Sequence, residues 1–244
     1  MKVLVVEDDA VHRAYLKEAI EQALPECDMV LEAAHGHDGE RLSREHHCLH
    51  LVMDLQMPRR TGVEAARVIW SERPETAILF WSNYADEAYV RGLSRIVPEG
   101  AAYGYILKSA SEDRLRLALR SIFVENQCVI DREIRTVQQK AADRSQGMSD
   151  AEYEVLLDVA LGLTDRIIAR RRNLSLRSVQ SRLQQIYDKL GVYEFAGEQG
   201  DDAFNLRTRA LCIAFLRKLI NRTALEQAEL ELAQWMARNG AGRH

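Results

Sequence analysis

The stretch LVMDLQMPRRTG, Leu51 to Gly62, decides how the first half of the chain is read. A short apolar run ends in a single carboxylate, Asp54, and a proline and a glycine follow before helical periodicity resumes. A carboxylate closing a buried strand is costly unless the fold presents it to something. Pro58 fixes φ in the turn and Gly62 lets the backbone continue closely into the next helix, so Asp54 is expected to face outward at a strand end.

Working outward, the same unit repeats. KVLVV precedes a helical stretch at 10–23, DMVLEA one at 37–47, LHLVMD one at 62–73, TAILFWS one at 86–96 and YGYIL one at 111–124. Strands alternating with amphipathic helices predict an α/β fold with a doubly wound, five-stranded parallel sheet. Thr61 and Ser111 stand where helix caps are needed, the latter followed by Glu112 and Asp113 in the first turn. After Glu125 the strands cease. QQKAADRSQG reads as a linker, and beyond it only helical periodicity is present, interrupted at Gly162-Leu163, at Asn173-Leu174 and in the acidic YEFAGEQGDDAF. The expected organisation is a first domain over 1–125, a linker over 126–148 and an all-α domain over 149–244.

In an open parallel sheet the ligand site lies off the carboxyl ends of the strands, where strand order reverses. Glu7 and Asp8 end the first strand, Asp54 the third and Ser82 the fourth, and Lys108 follows the fifth. Three neighbouring carboxylates repel and raise one another's pKa unless a cation neutralises them. Magnesium suits one or two carboxylates, waters and a phosphate oxygen, so the set reads as a phosphoryl site. Asp54 is its nucleophile, Lys108 a point charge for phosphoryl oxygens and Ser82 a hydroxyl donor.

EDD at 7–9, MDLQMPRRTG at 53–62, WSN at 81–83 and YGYILK at 103–108 together resemble the CheY-like receiver domain of bacterial response regulators, over roughly residues 1–125. The resemblance implies that a histidine kinase phosphorylates Asp54 and that Glu7, Asp8, Asp54 and the backbone carbonyl of Gln56 hold Mg²⁺. It also implies that Ser82 and Tyr105 report phosphorylation by moving. SRIVPEG at 94–100 makes the fourth helix-to-strand connection longer than the family pattern.

In the second half, residues 166–189 hold seven Lys or Arg against one acid, a net of +6. Val179, Leu183, Ile186 and Leu190 recur on one helical face, with Ser175 placed to cap it. The opposite face presents Arg177, Gln180, Ser181 and Gln184, donor-rich side chains suited to base edges in a major groove. The preceding TDRIIARRRN brings Arg170 and Arg171 toward phosphates. With EYEVLLDVALGLTDRIIARR before and DKLGV after, residues 148–192 resemble the LuxR-type helix-turn-helix of NarL/FixJ regulators. Arg182, which stands where the family commonly has histidine, and Lys189 belong to the basic cluster and join the DNA-contacting set. Asn173 stands where the family favours glycine, which a left-handed turn tolerates, and an insert within Tyr193 to Phe204 departs from the pattern.

The composition fits a globular chain of 244 residues, 47% hydrophobic and 29% charged, with net charge −4. Four scattered cysteines without C-x-x-C spacing suggest a reducing compartment, and no membrane span or leader is legible, so a cytoplasmic location is expected. HHCLH at 46–50 offers no second pair for a tetrahedral metal site. The tail, with Leu216, Ile220, Ala224, Ala228, Trp235 and Met236, is expected to form one or two helices and to serve a homodimer. The whole reads as a phosphorylation-regulated DNA binder, a switch rather than a metabolic enzyme. Alternatives are a phosphorylation-independent DNA binder, a phosphorelay adaptor and an aspartate-nucleophile phosphatase, although Gln56 occupies the place where the last would want a second acid.

Overall fold

The structure is a computed structural model and describes residues 1–142, 147–195 and 205–240. Two compact units divide it, the first formed mainly by residues up to Val137 and the second by the remainder.

In the first unit β1 (Lys2–Val6), β2 (Met29–Ala33), β3 (His50–Met53), β4 (Ala77–Ser82), β5 (Tyr103–Leu107) and β6 (Val129–Ile130) form one sheet in the order β2-β1-β3-β4-β5-β6. Every pairing is parallel. Because alternate strand residues face opposite sides, each strand feeds two cores. Val3, Val5, Val52, Leu79 and Ile106 pack with α1 (Ala10–Ala23) and α5 (Glu112–Phe123). Leu4, Val6, Leu51, Met53, Ile78 and Phe80 pack on the other face, where α2 (Gly36–His46), α3 (Gly62–Glu72) and α4 (Glu87–Ser94) lie. Helices covering both faces explain why β3 and β4 read as continuous apolar runs.

The caps fall where the side chains invite them. Thr61 accepts from the Glu64 N–H while the Glu64 carboxylate returns to the Thr61 N–H, a capping box that fixes the start of α3. Ser111 accepts from the Arg114 N–H and starts α5.

The sheet has six strands where the sequence suggested five, and the first unit runs past residue 125. β6 is two residues long, too short to leave a periodic signal, and α6 (Arg132–Ala142) follows it through much of the expected linker. Ile134 is fully buried in the core of the first unit, which is why the unit reaches Val137. Residues 143–146 of the expected linker lie outside the described residues.

The second unit contains α7 (Asp150–Ala160), α8 (Asp165–Arg171), α9 (Leu176–Leu190), a 3₁₀ turn at Val192–Phe195, α10 (Leu206–Leu216) and α11 (Arg222–Gly240). Val179, Leu183, Ile186 and Leu190 are buried against Val155, Leu156 and Ile168, as the stripe on α9 requires. Ser175 accepts from the Ser178 N–H, and Asn173 takes φ 53°, the left-handed turn expected of it. The tail forms two helices broken at Lys218, whose φ is 57°. That break splits the expected stripe: Ile220 and Ala228 are buried in the second core, whereas Leu216 is 81% exposed. Residues 196–204 of the insert are not among the described ones.

Candidate functional site

Sheet topology assembles the first site. Order reverses around β1 and β3, so their carboxyl ends are neighbours. The Asp54 N–H donates to the Val6 carbonyl at 2.9 Å and the Glu7 N–H to the Ala33 carbonyl at 3.0 Å, which anchors both acids at one rim. On the far side the Lys108 N–H donates to the Ser82 carbonyl at 2.9 Å. Ligand atoms of Glu7, Asp8 and Asp54 lie within 4.8 Å of one another, with Glu7 and Asp54 buried and Asp8 exposed.

Lys108 reaches across this cluster. Its ammonium donates to Glu7 Oε1 at 2.9 Å and to Asp54 Oδ2 at 3.0 Å, with Glu7 Oε2 at 2.7 Å. Burial raises the Glu7 carboxyl above its ordinary pKa and the charge of Asp54 adds to this, while the bond to Lys108 opposes both. For Lys108 burial pulls downward, but the bond to Glu7 and the charge of Asp54 prevail and hold the ammonium above its usual value. The pocket therefore carries more negative charge than its one ammonium neutralises. Hard oxygen donors in that state fit a small divalent cation.

Several neighbours set this geometry. Asp9 caps α1 by accepting from the Val11 and His12 N–H groups, so the third acid of EDD is engaged in helix initiation. Gln56 is exposed and its N–H donates to Asp54 Oδ1 at 3.3 Å. Ser82 is fully buried and its Oγ has no hydrogen-bond partner among the described residues, an unmet donor at the strand end. Tyr105 is turned inward, its hydroxyl donating to the Tyr84 carbonyl on the loop after β4.

Two residues at the site escaped the sequence reading. His12 Nδ1 lies 3.3 Å from both Glu7 Oε1 and Lys108 Nζ, and the Trp81 ring centroid lies 5.1 Å from the same ammonium. The available signals were the spacing of four between Asp8 and His12 at a helix start and the position of Trp81 immediately before Ser82.

The second candidate surface is on α8 and α9. Arg177, Gln180, Ser181 and Gln184 are exposed on α9, Arg182 is half-buried and Arg170 is exposed at the end of α8. Gln184 also bonds Asp188 and Tyr193 within the unit. Arg171 departs from the expected DNA surface: its side chain is 5% exposed and its guanidinium pairs with the fully buried Asp158 at 2.6 Å. Arg172 joins the same carboxylate at 2.7 Å. Burying Asp158 without these two cations would leave an isolated charge, so they are held inward. Lys189 likewise pairs with Glu152 at 2.8 Å and donates to the Gly147 carbonyl at 3.0 Å. For Glu152 burial pushes upward, but the bonds from Lys189 and Ser149 outweigh it and lower the pKa.

The acidic triad is the only potential metal-holding group of three or more His, Cys, Asp or Glu among the described residues. In HHCLH, His47 forms the left-handed end of α2, Cys48 is buried and His50 packs edge-on against Phe123.

Residues 3–120 match the response regulator receiver domain family. The chain is 31% identical over 226 residues to transcriptional regulatory protein YdfI of Bacillus subtilis (strain 168), covering 90% of this chain and 97% of that protein. It is 30% identical over 205 residues to oxygen regulatory protein NreC of Staphylococcus haemolyticus (strain JCSC1435), covering 79% and 92%. Among solved structures, RcsB from Salmonella enterica serovar Typhimurium, bound to a promoter in the presence of phosphomimetic BeF3-, aligns with TM-score 0.59 at 19% identity. That alignment covers 90% of this chain and 99% of RcsB, and the likeness is one of fold.

Proposed function

The chain belongs to the response regulators of NarL/FixJ type, and from that premise we propose that it is a transcriptional regulator whose DNA binding is governed by phosphorylation of Asp54. The observation that carries this is the single ammonium of Lys108 bonded at once to Glu7 and Asp54, in a three-acid cluster at the sheet's switch point. Such a site is poised to receive an anion that is itself accompanied by positive charge.

The donor is a phosphohistidine of a partner kinase. A carboxylate oxygen of Asp54 attacks phosphorus, the P–N bond breaks, and the imidazole leaves carrying its own ring proton. Lys108 then transfers its hydrogen bonds to phosphoryl oxygens, and the unpaired Ser82 hydroxyl becomes a donor to them. Glu7, Asp8, Asp54 and the carbonyl of Gln56 would hold Mg²⁺, which when bound supplies charge neutralisation for the acids and the phosphoryl group together. Tyr105, now inward with its hydroxyl on the Tyr84 carbonyl, is the aromatic expected to move together with Ser82 on phosphorylation. The only chemistry in this account is gain and loss of the protein's own phosphoryl group, so the chain is a switch and not a metabolic enzyme.

The DNA-reading surface is the exposed face of α9, Arg177, Gln180, Ser181 and Gln184, with Arg170 and Arg182 flanking it. The surface excludes Arg171 and Lys189, whose bonds are intramolecular. A second copy of the chain is the expected partner on DNA, since paired reading helices match half-sites one turn apart, and the setting is cytoplasmic. Binding of genomic DNA fragments by the full chain, with and without acetyl phosphate and Mg²⁺, tests the proposal. Phosphorylation is expected to change affinity for a preferred subset, with log affinity falling steeply with log salt. Affinity indifferent to both phosphorylation and salt would overturn it.

A further inference from the structure

Asp131 is the single residue between β6 and α6. β6 pairs with β5 through Gly104 with Val129 and Tyr105 with Ile130. The Asp131 N–H carries the ladder one step further, to the Tyr105 carbonyl at 3.0 Å. In a parallel ladder the next bond would run from the Leu107 N–H to the Asp131 carbonyl. That carbonyl is taken: it accepts the Arg135 N–H at 2.9 Å as the first turn of α6 closes. The carboxylate replaces it, with Oδ2 accepting from the Leu107 N–H at 2.9 Å. Oδ1 accepts from Nε of Arg114 on α5 at 3.1 Å. One residue thus ends a strand, starts a helix and ties both to β5 and α5.

The peptide it grips is the one that carries the lysine. Leu107 immediately precedes Lys108, whose own N–H points the opposite way, to the Ser82 carbonyl. The segment 105–108 is therefore held on one side by the strand bearing Ser82 and on the other by Asp131. Beyond the junction Ile134 is fully buried in the cluster that contains Tyr105, with Ile130 and Val137 packed against it. These residues lie past the 3–120 span of the receiver match, so the receiver likeness does not supply this arrangement.

We propose that Asp131 is a positioning residue that couples the lysine end of the phosphoryl site to α6, so that a phosphoryl group drawing on Lys108 alters the hold of β5 on that helix. The inference rests on the phosphorylation reading above. Leu107 and Lys108 share a peptide bond, so a shift of one strains or relieves the hydrogen bond at the other. α6 leads in sequence to the second unit, which gives the coupling an outlet along the chain. Its energy source is differential: the phosphorylated state must favour one hold on α6 over the other.

Hydrogen exchange on the full chain tests this with Asp131→Ala and Asp131→Asn. In the unphosphorylated protein Asp131→Ala is expected to speed exchange across 105–107 and 132–139 by roughly tenfold. Asp131→Asn keeps an acceptor and should retain most of that protection. With acetyl phosphate, wild-type exchange at 132–139 should change, while Asp131→Ala shows no further change although Asp54 is labelled as in wild type. Unaltered exchange in Asp131→Ala, or a full phosphorylation response of α6 in that variant, overturns the coupling. Absence of label on wild-type Asp54 counts instead against the phosphorylation reading, and the comparison of unphosphorylated proteins still judges the hold of Asp131 on β5.

Discussion

A Cβ placed on Gly62 would stand 2.0 Å from the carbonyl oxygen of Asp54. The first residue of α3 is thus pressed against the backbone of the proposed phosphoacceptor, and the Gly62 N–H donates to the Leu55 carbonyl at 3.0 Å in the same turn. Gly62→Ala cannot be relieved by a side-chain rotation, because the opposing atom is backbone. It should displace Asp54 and slow its phosphorylation by acetyl phosphate on the order of tenfold to a hundredfold, as small misplacements of reacting groups do. A wild-type labelling rate in a folded Gly62→Ala protein would show that the contact does not set the acceptor.

Lys108 should matter to stability as well as chemistry. The Glu7 carboxyl has a raised pKa in the fold, chiefly through burial. Its contribution to stability is therefore fully present below the ordinary value of 4.5 and is lost as pH rises through the higher folded value. Lys108→Ala removes the cation that limits this loss and leaves two buried acids, so it should cost about 3 kcal/mol at neutral pH. The deficit should shrink as pH falls toward 4.5, and Mg²⁺ should reduce it at neutral pH. Denaturant titrations across that range decide the matter, and a deficit independent of both pH and Mg²⁺ would contradict it.

Arg171 and Arg177 should separate folding from recognition. Arg171→Ala leaves the fully buried Asp158 with Arg172 as its remaining cation and should cost about 1–3 kcal/mol of stability in the second unit. Arg177→Ala should leave the melting temperature unchanged while relaxing preference among DNA sequences by roughly 1–3 kcal/mol. Melting curves beside binding isotherms for both variants test the distinction. Equal melting temperatures with equal losses of DNA binding would return Arg171 to the DNA surface.

The proposed homodimer can be tested without cutting into the core. A truncation after Thr223 would remove Ala228, which is buried, and so would confound assembly with folding. Leu216 is 81% exposed at the end of α10, and Leu216→Gln leaves the core intact. If the C-terminal segment pairs two copies, that change should shift the full chain toward monomer in sedimentation. Identical sedimentation of the two proteins would remove Leu216 from any interface.

Much of this was legible before the structure, and the reasons differ by element. The five long strands announced themselves because each is buried on a face that demands apolar residues, and Thr61, Ser111 and Ser175 marked helix starts through their oxygens. Asp54, Glu7, Asp8, Ser82 and Lys108 could be gathered because strand order alone places strand ends together. β6 was not legible, since two residues have no period, and Asp131 looked like any polar residue in a linker. The inward pairing of Arg171 was not legible because charge does not reveal its partner: Asp158 lies thirteen residues upstream, where a helical stretch gave no hint that a carboxylate turned inward. His12 was missed because a single histidine at a helix start carries no pattern.

The central claim is that Asp54 is the acceptor, and intact-mass analysis of the full chain after acetyl phosphate and Mg²⁺ tests it most directly. One acid-labile phosphoryl adduct is expected on the wild type and none on Asp54→Asn. An undiminished adduct on a folded Asp54→Asn protein would contradict the account, because the site built by Glu7, Asp54 and Lys108 would then not be where the phosphoryl group resides.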